Sequence, residues 1–211
     1  SVPMQIEGMV RNEGNFAAGS VITPSMMRSG GYKVSQSHGR YLDAVLRGRC
    51  FVGGTAATGV APGTSIGTTT AFSLFNPAGS GVNLAILKVT MGYVSGTLGA
   101  GVIHLLGNTN PAAAATTGTA ITAVNCLTGG GYAAQGKPLT TGTVAATPTV
   151  MRPFCSLQAS LASTAVEPWQ IWEEVDGEFI VAPGCTISLH GTTAAGSTPL
   201  VVYGCTWEEL P

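Results

Sequence analysis

Ser73–Gly96 reads SLFNPAGSGVNLAILKVTMGYVSG, and its second half carries a single charge, Lys88. From Val82 to Ile86 both faces of an extended chain are mostly apolar, as in a strand covered on both sides. Beyond Lys88 one face stays apolar (Leu87, Val89, Met91, Tyr93), while Lys88, Thr90 and Gly92 take the other. A sandwich strand running from a packed interface toward a wetter edge shows that change. Ahead of it, Asn76-Pro77 ends a preceding strand and AGSG turns the chain, because glycine tolerates positive φ. Burial on both faces in so uncharged a chain leads to the expectation that assembly covers this strand.

The same pattern extends through most of the sequence. GVIHLLGN, AITAVNCL and TPTVMRPF read as strands. So do WQIWEEV (169–175), EFIVAP (178–183), CTISLHG (185–191) and LVVYGCTWEEL (200–210). Asp176-Gly177 between two of these runs predicts a two-residue hairpin. About eight short strands with Gly/Pro turns define an all-β chain, and the jelly-roll-like β-sandwich is the natural eight-strand form. No repeat of 20–50 residues is present, which excludes solenoids and propellers. Residues 1–38 have no sustained period and read as an extended arm. GRYLDAVLRG (39–48) is the one helical stretch, with Tyr41, Leu42, Val45 and Leu46 at helical spacing and Gly48 placed to end it. The expected organisation is therefore 1–48 as an extended N-terminal arm with one short helix, and 49–211 as the sandwich. In residues 109–149, NPAAAATT opens with a helical-turn signal and the remainder apart from the strands reads as long loops.

Charged residues make up 9% of the 211, against roughly 25% in typical soluble domains. A surface of hydroxyls and small side chains is hydrated but lacks the charge that keeps monomers apart, which points to association. The net charge of −1 is unevenly spread. Residues 1–50 hold Arg11, Arg28, Lys33, Arg40, Arg47 and Arg49 against three acids, a balance of +3. Residues 167–211 hold seven acids and no Lys or Arg. Opposite ends of opposite sign can pair between subunits or meet a complementary lattice. The arm cations are thus the candidate lattice- or neighbour-binding residues, and Trp169, Trp172, Trp207, Glu208 and Glu209 the candidate subunit-interface residues. No apolar run approaches the ~20 residues of a membrane helix, and the start has no secretory core, so cytoplasmic synthesis is expected. Few aromatics interleave with the arginines, so neither nucleic acid nor membrane is an expected partner.

Catalytic motifs are sparse. No His-x-His, H-E-x-x-H or G-x-S-x-G occurs, and SGGY and TGGGY lack a P-loop lysine. His38, His104 and His190 are isolated, the latter two within strands. Glu173-Glu174 and Glu208-Glu209 are carboxylate doublets, but neighbours in a strand point to opposite faces, so neither forms a glycosidase pair alone. The five cysteines are widely spaced, with no zinc site or disulfide framework legible; Cys185 and Cys205 fall on apolar strand faces and read as buried free thiols. The expectation is a protein that is not an enzyme and uses no metal or other cofactor.

NPAGSGVNLAILKV (76–89), RYLDAVLRGRCFVGG (40–54) and the ending EVDGEFIVAPGCTISLHGT…VVYGCTWEELP resemble small structural proteins of tailed bacteriophages, above all jelly-roll capsid cement (decoration) proteins. The resemblance covers about half the chain. It implies a homotrimer that binds the major capsid protein on the outer surface of the head and stabilises the shell. The alternative it leaves open is a head-fibre or tail-associated adhesin that binds a host surface glycan or receptor.

Overall fold

The computed structural model describes residues 8–9, 21–22, 39–109, 115, 117–157 and 170–211. The chain divides into two compact units, Ser1–Leu42 and Asp43–Pro211, a division that falls inside the predicted helical stretch and not after it. In the first unit, β1 (Gly8–Met9) pairs antiparallel with β2 (Val21–Ile22). Helix α1 (Leu42–Leu46) is one short turn-and-a-half, as its spacing predicts. Gly48 ends it with φ +69°, and the Gly48 N–H donates to the Val45 carbonyl. The ring of Tyr132 lies where a Gly48 Cβ would project, so glycine is required there for space as well as for conformation.

The strands that follow are β3 (Cys50–Gly54), β4 (Phe72–Phe75), β5 (Asn83–Thr97), β6 (Gly101–Asn108), β7 (Thr119–Ala120), β8 (Val124–Asn125) and β9 (Lys137–Thr140). They continue with β10 (Thr149–Leu157), β11 (Gln170–Glu174), β12 (Ile180–Val181), β13 (Thr186–Thr193) and β14 (Ser197–Leu210). Two sheets result, every ladder antiparallel. One runs β10-β6-β13-β4-β9-β7 and the other β11-β5-β14-β3-β8, with β12 also on β5. We call them the β13 sheet and the β14 sheet. The protein is an all-β sandwich. Leu74, Phe72, Ile103, Leu105, Ile187 and Leu189 from the first pack against Phe51, Leu84, Ile86, Met91, Tyr203 and Trp207 from the second in one core cluster. In β14 the burial alternates residue by residue from Val201 to Leu210, the period-two signature of a strand with one face inward.

Three expectations are corrected. First, Leu84–Leu87 are all buried within the single chain, so no second copy is needed to cover them. The pairing of β5 with β14 steps from Thr206↔Lys88 to Trp207↔Ile86 and leaves Leu87 as a bulge. The Leu87 carbonyl accepts the N–H groups of Val175 and Asp176 instead, and Gly177 N–H donates to the Ile86 carbonyl. The bulge also resets the alternation, so that Ile86 and Val89 both point into the core. Second, Asp176-Gly177 does adopt two successive positive φ values, +53° and +82°, but it does not join a hairpin. β11 and β12 both pair with β5, one after the other along its length, and the turn carries the chain past the bulge. Third, AITAVNCL is not one strand. Its halves are β7 in one sheet and β8 in the other, so the segment crosses the end of the sandwich. β9 falls in a stretch read as loop, because Pro138 inside KPLT disguises it.

Candidate interaction surface

The two sheets present different outer faces. On the β13 sheet, the outward residues Ser73, Leu106, Thr186 and Ser188 are buried. Their cover comes from the chain itself. The Thr70 N–H donates to the Gly142 carbonyl, the Val144 N–H to the Thr68 carbonyl, and Asn108 Nδ2 to the Ala146 carbonyl. These bonds fasten the segments either side of β4 and β9 across the sheet. The Gly63 loop closes the rest: Gly191 N–H donates to the Pro62 carbonyl and Thr193 Oγ1 to the Gly63 carbonyl. Beneath it sits His190, whose Nδ1 accepts the Ala71 N–H at 3.0 Å while Nε2 stands 3.1 Å from the Ser65 carbonyl. That pair of partners fixes a neutral imidazole protonated at Nε2. Burial, partly offset by the Ser65 bond, holds its pKa below the usual value. Directly across the ladder, His104 Nε2 lies 2.9 Å from Thr192 Oγ1. Both histidines are structural in these contacts.

Among the described residues, no segment is fastened over the β14 sheet in this way. Its outward residues lie in cross-strand rows: Trp172, Thr90, Gly204 and Gly54 in one, and Glu174, Lys88, Thr206, Val52 and Val124 in the next. All nine backbones are held in ladders, yet none of these residues is buried. Trp172 at one edge is 61% exposed, and Val124 at the opposite edge is 55% exposed. Ile180 adds to the Trp172 edge, and Val52, Leu46 and Tyr132 are exposed near the other. The face is almost neutral, because Lys88 Nζ sits 2.7 Å from Glu174 Oε1 and Arg49 Nη2 3.0 Å from Glu208 Oε1.

Those ion pairs revise the expected charge map. Arg47 pairs with Asp43 one helical turn away, and that guanidinium holds the Asp43 carboxyl below its ordinary range. Arg40 lies over the Tyr41 ring at 5.9 Å. Arg152, on β10 at the edge of one sheet, reaches Glu173 on β11 and Glu178 at the edge of the other, and stacks on the Phe179 ring at 4.9 Å. Hydrogen bonds to Glu178 and then Glu173 raise its pKa. Glu173, Glu174, Glu178 and Glu208 are thus paired with cations inside the chain. Arg49, expected to reach outward, is likewise turned onto its own β14. Arg11, Arg28, Lys33 and Trp169 lie outside the described residues, as do His38 and the 110–114 turn.

Of the other candidate interface residues, Trp207 is a correction: at 0% exposure it is the largest side chain of the core, stacked on Phe51 at 6.1 Å. Glu209 is a second, 7% exposed and turned inward by the alternation of β14. Its Oε1 accepts the N–H groups of Gln135 and Gly136 and of the Trp207 indole at 2.8, 2.9 and 3.2 Å. Three donors compensate the desolvation of a buried carboxylate and tie the 134–136 loop over the tryptophan. Trp172 alone of the described candidates offers a large exposed apolar side chain, and Val52 and Val124 were not among the candidates. Their signal was present in the alternation of CFVGG and TAVNC, but single exposed valines are ordinary until the sheet sets them side by side.

All five cysteines are free, Cys50 and Cys205 buried and Cys126, Cys155 and Cys185 partly so. Burial pushes Cys155 up to about 11 and Cys205 up to about 12. Among the described residues, no three of His, Cys, Asp and Glu stand together to hold a metal ion, and no helix is long and apolar enough to cross a membrane. No family model, characterised protein or solved structure matches the chain.

Proposed function

We propose that the chain is a structural virion protein, a homotrimeric cement protein that fastens and stabilises a phage capsid from its outer surface. The observation that carries this reading is the uncovered, neutral outer face of the β14 sheet, beside a β13 sheet whose outer face the chain covers itself. Strand order supports the jelly-roll form. Counting β3, β4, β5, β6, β10, β11/β12, β13 and β14 as one to eight, the sheets run 1-8-3-6 and 2-7-4-5. Jelly rolls of that order serve as viral capsid domains. Two unlike exposed apolar features, Trp172 on β11 and Val52 with Val124 on β3 and β8, occupy opposite edges of the open sheet. A closed ring needs two unlike, complementary patches on each subunit, whereas a two-fold dimer uses one patch twice. Trp172 of one copy against the valine edge of the next makes a three-fold ring.

The ring presents three arms, with Arg11, Arg28 and Lys33, to the capsid lattice. Each arm adds a modest contact, and three acting together multiply them. Because the trimer binds the assembled shell and not its separated parts, mass action favours assembly. With Arg49, Lys88 and Arg152 paired internally, a trimer would rest on packing and not on charge, so trimerisation should be insensitive to salt while arm attachment is screened by it. Light scattering should return about three times the 21.3 kDa chain mass. Trp172→Ala and Val124→Asp should each return the monomer, and deletion of residues 1–38 should leave a trimer that no longer binds heads. A wild-type monomer, together with no ordered density for the chain on virions that contain it, overturns the proposal.

The exposed indole of Trp172 also favours a second reading, an adhesin in which it stacks on a sugar ring. Binders on a glycan array that are lost in Trp172→Ala, with density confined to fibre or tail, select that reading.

A further inference from the structure

Cys50 and Cys126 are 76 positions apart in sequence but adjacent in the fold. β3 and β8 pair through Val52↔Val124 and Phe51↔Asn125. One step further, the Cys126 N–H donates to the Cys50 carbonyl at 2.9 Å, which continues the ladder and sets the two cysteines directly opposite. Opposed residues of an antiparallel ladder have Cα atoms about 4.5–5.5 Å apart and side chains on the same face. A disulfide spans Cα separations of roughly 4.4–6.8 Å. We propose that Cys50 and Cys126 form a redox latch: they are free thiols in the reduced protein and close to a disulfide that binds the edge strand β8 covalently to β3.

Two features give the latch a direction. Cys126 is partly exposed and Cys50 fully buried, so a dissolved disulfide reaches Cys126 first. Oxidised glutathione exchanges with the Cys126 thiol, giving the Cys126–glutathione mixed disulfide and one reduced glutathione. The Cys50 thiolate then attacks the Cys126 sulfur and expels the second glutathione. The chain loses two thiol hydrogens and two electrons, and one oxidised glutathione becomes two reduced ones. The Cys50 thiol is pushed up to about 11, first by burial, then by the Glu208 carboxylate and by Cys126 itself, and burial raises Cys126 as well. The thiolate is therefore scarce at neutral pH, and closure is slow there and faster in alkali. Such a pair stays open in a reducing cytoplasm and closes over time outside it. β8 holds only two residues, one of them Val124, so the latch fixes the valine edge of the open sheet. The latch stands on the β3–β8 register alone and holds whether or not that sheet assembles.

The test uses the purified full chain, incubated with oxidised glutathione at about pH 9, where thiolates form, then alkylated and weighed. The expected product is a monomeric chain lighter by two hydrogens, with three alkylatable thiols left of five, and non-reduced peptide mapping should join Cys50 to Cys126. The oxidised chain should melt on the order of 10 °C higher than the reduced one, because the closed loop is long. Cys50→Ser should stop at the mixed disulfide on Cys126, and Cys126→Ser should form no bond to Cys50. If all five thiols survive on the wild-type chain, if glutathione stays on Cys126, or if the linkage joins another pair, the latch is refuted. The wild-type map decides this even where a variant fails to fold.

Discussion

On the outside of the β13 sheet, Ser73, Leu106, Thr186 and Ser188 lie beneath the chain's own loops, and even His190 is roofed by the Gly63 turn. On the outside of the β14 sheet, Thr90, Gly204, Thr206 and Val52 have no such cover, and a tryptophan stands up at the edge. Both faces carry small and hydroxyl residues, so those residue types do not distinguish them. The difference is where connections are spent. The segments around β4 and β9 fold back over one sheet and are hydrogen-bonded to one another across it, whereas among the described residues no segment is fastened in that way over β5 and β14. That contrast marks the open side as the one on which the proposed assembly rests.

The contrast is open to attack by mutation. The largest effect belongs to the covered side: Leu106→Ala should destabilise the fold by about 3 kcal/mol, since it empties a fully buried site. Urea unfolding measures it, and a loss as small as that of a surface leucine would mean the loops do not hold their cover. Next is Gly63→Ala. The added Cβ would stand 2.2 Å from the His190 ring at a φ of +96°, and about 2 kcal/mol should be lost as the roof lifts.

The same roof makes a pH prediction. His190 has a folded pKa below its unfolded 6.5, so the unfolded chain takes up the proton first. Its contribution is complete above about pH 6.5 and is lost as the pH falls through the lower, folded value. Melting temperature should therefore be level from pH 8 to 7 and fall below 6.5, and His190→Gln should flatten that fall. The neighbouring His104 acts in the same direction, lowering the His190 pKa through its charge.

The edge clamp comes third in size. Arg152 joins the sheets but is partly exposed, and a double-mutant cycle of Arg152→Ala with Glu173→Ala should give a coupling of about 1 kcal/mol that shrinks in high salt. The smallest effect sharpens the contrast most. Val52→Ala and Trp172→Ala should each change monomer stability by less than about 0.5 kcal/mol, because neither side chain is buried. Thermal melts of these variants that matched the loss in Leu106→Ala would erase the distinction between the faces.

Much of the fold was legible. Alternation in Cys185–Leu189 and Leu200–Leu210, the Asn76-Pro77 stop and the Gly48 helix end each appear where local rules put them. The hairpin at Asp176-Gly177 was not, because the turn conformation is local but the partner of each flank is not: β5 was long enough to pair with both. β9 was hidden by Pro138, and the split of AITAVNCL by the small Thr122-Ala123 step between sheets. For the candidate surface, Trp172 was visible as one of three tryptophans. Nothing in sequence ranked it above Trp207, since both sit in W-E-E strings and differ only in which face of the strand looks inward.

Composition and period by themselves determined that this chain is a β-sandwich with few charges, because both are properties of single residues and their immediate neighbours. Tertiary structure alone decided that Arg49, Lys88 and Arg152 are paired within the chain, that Trp207 is core and Trp172 surface, that two distant cysteines face each other, and that one sheet's outer face is buried and the other's is not. Each of those depends on which strands pair and in what register, and pairing joins residues whose separation along the chain leaves no local trace.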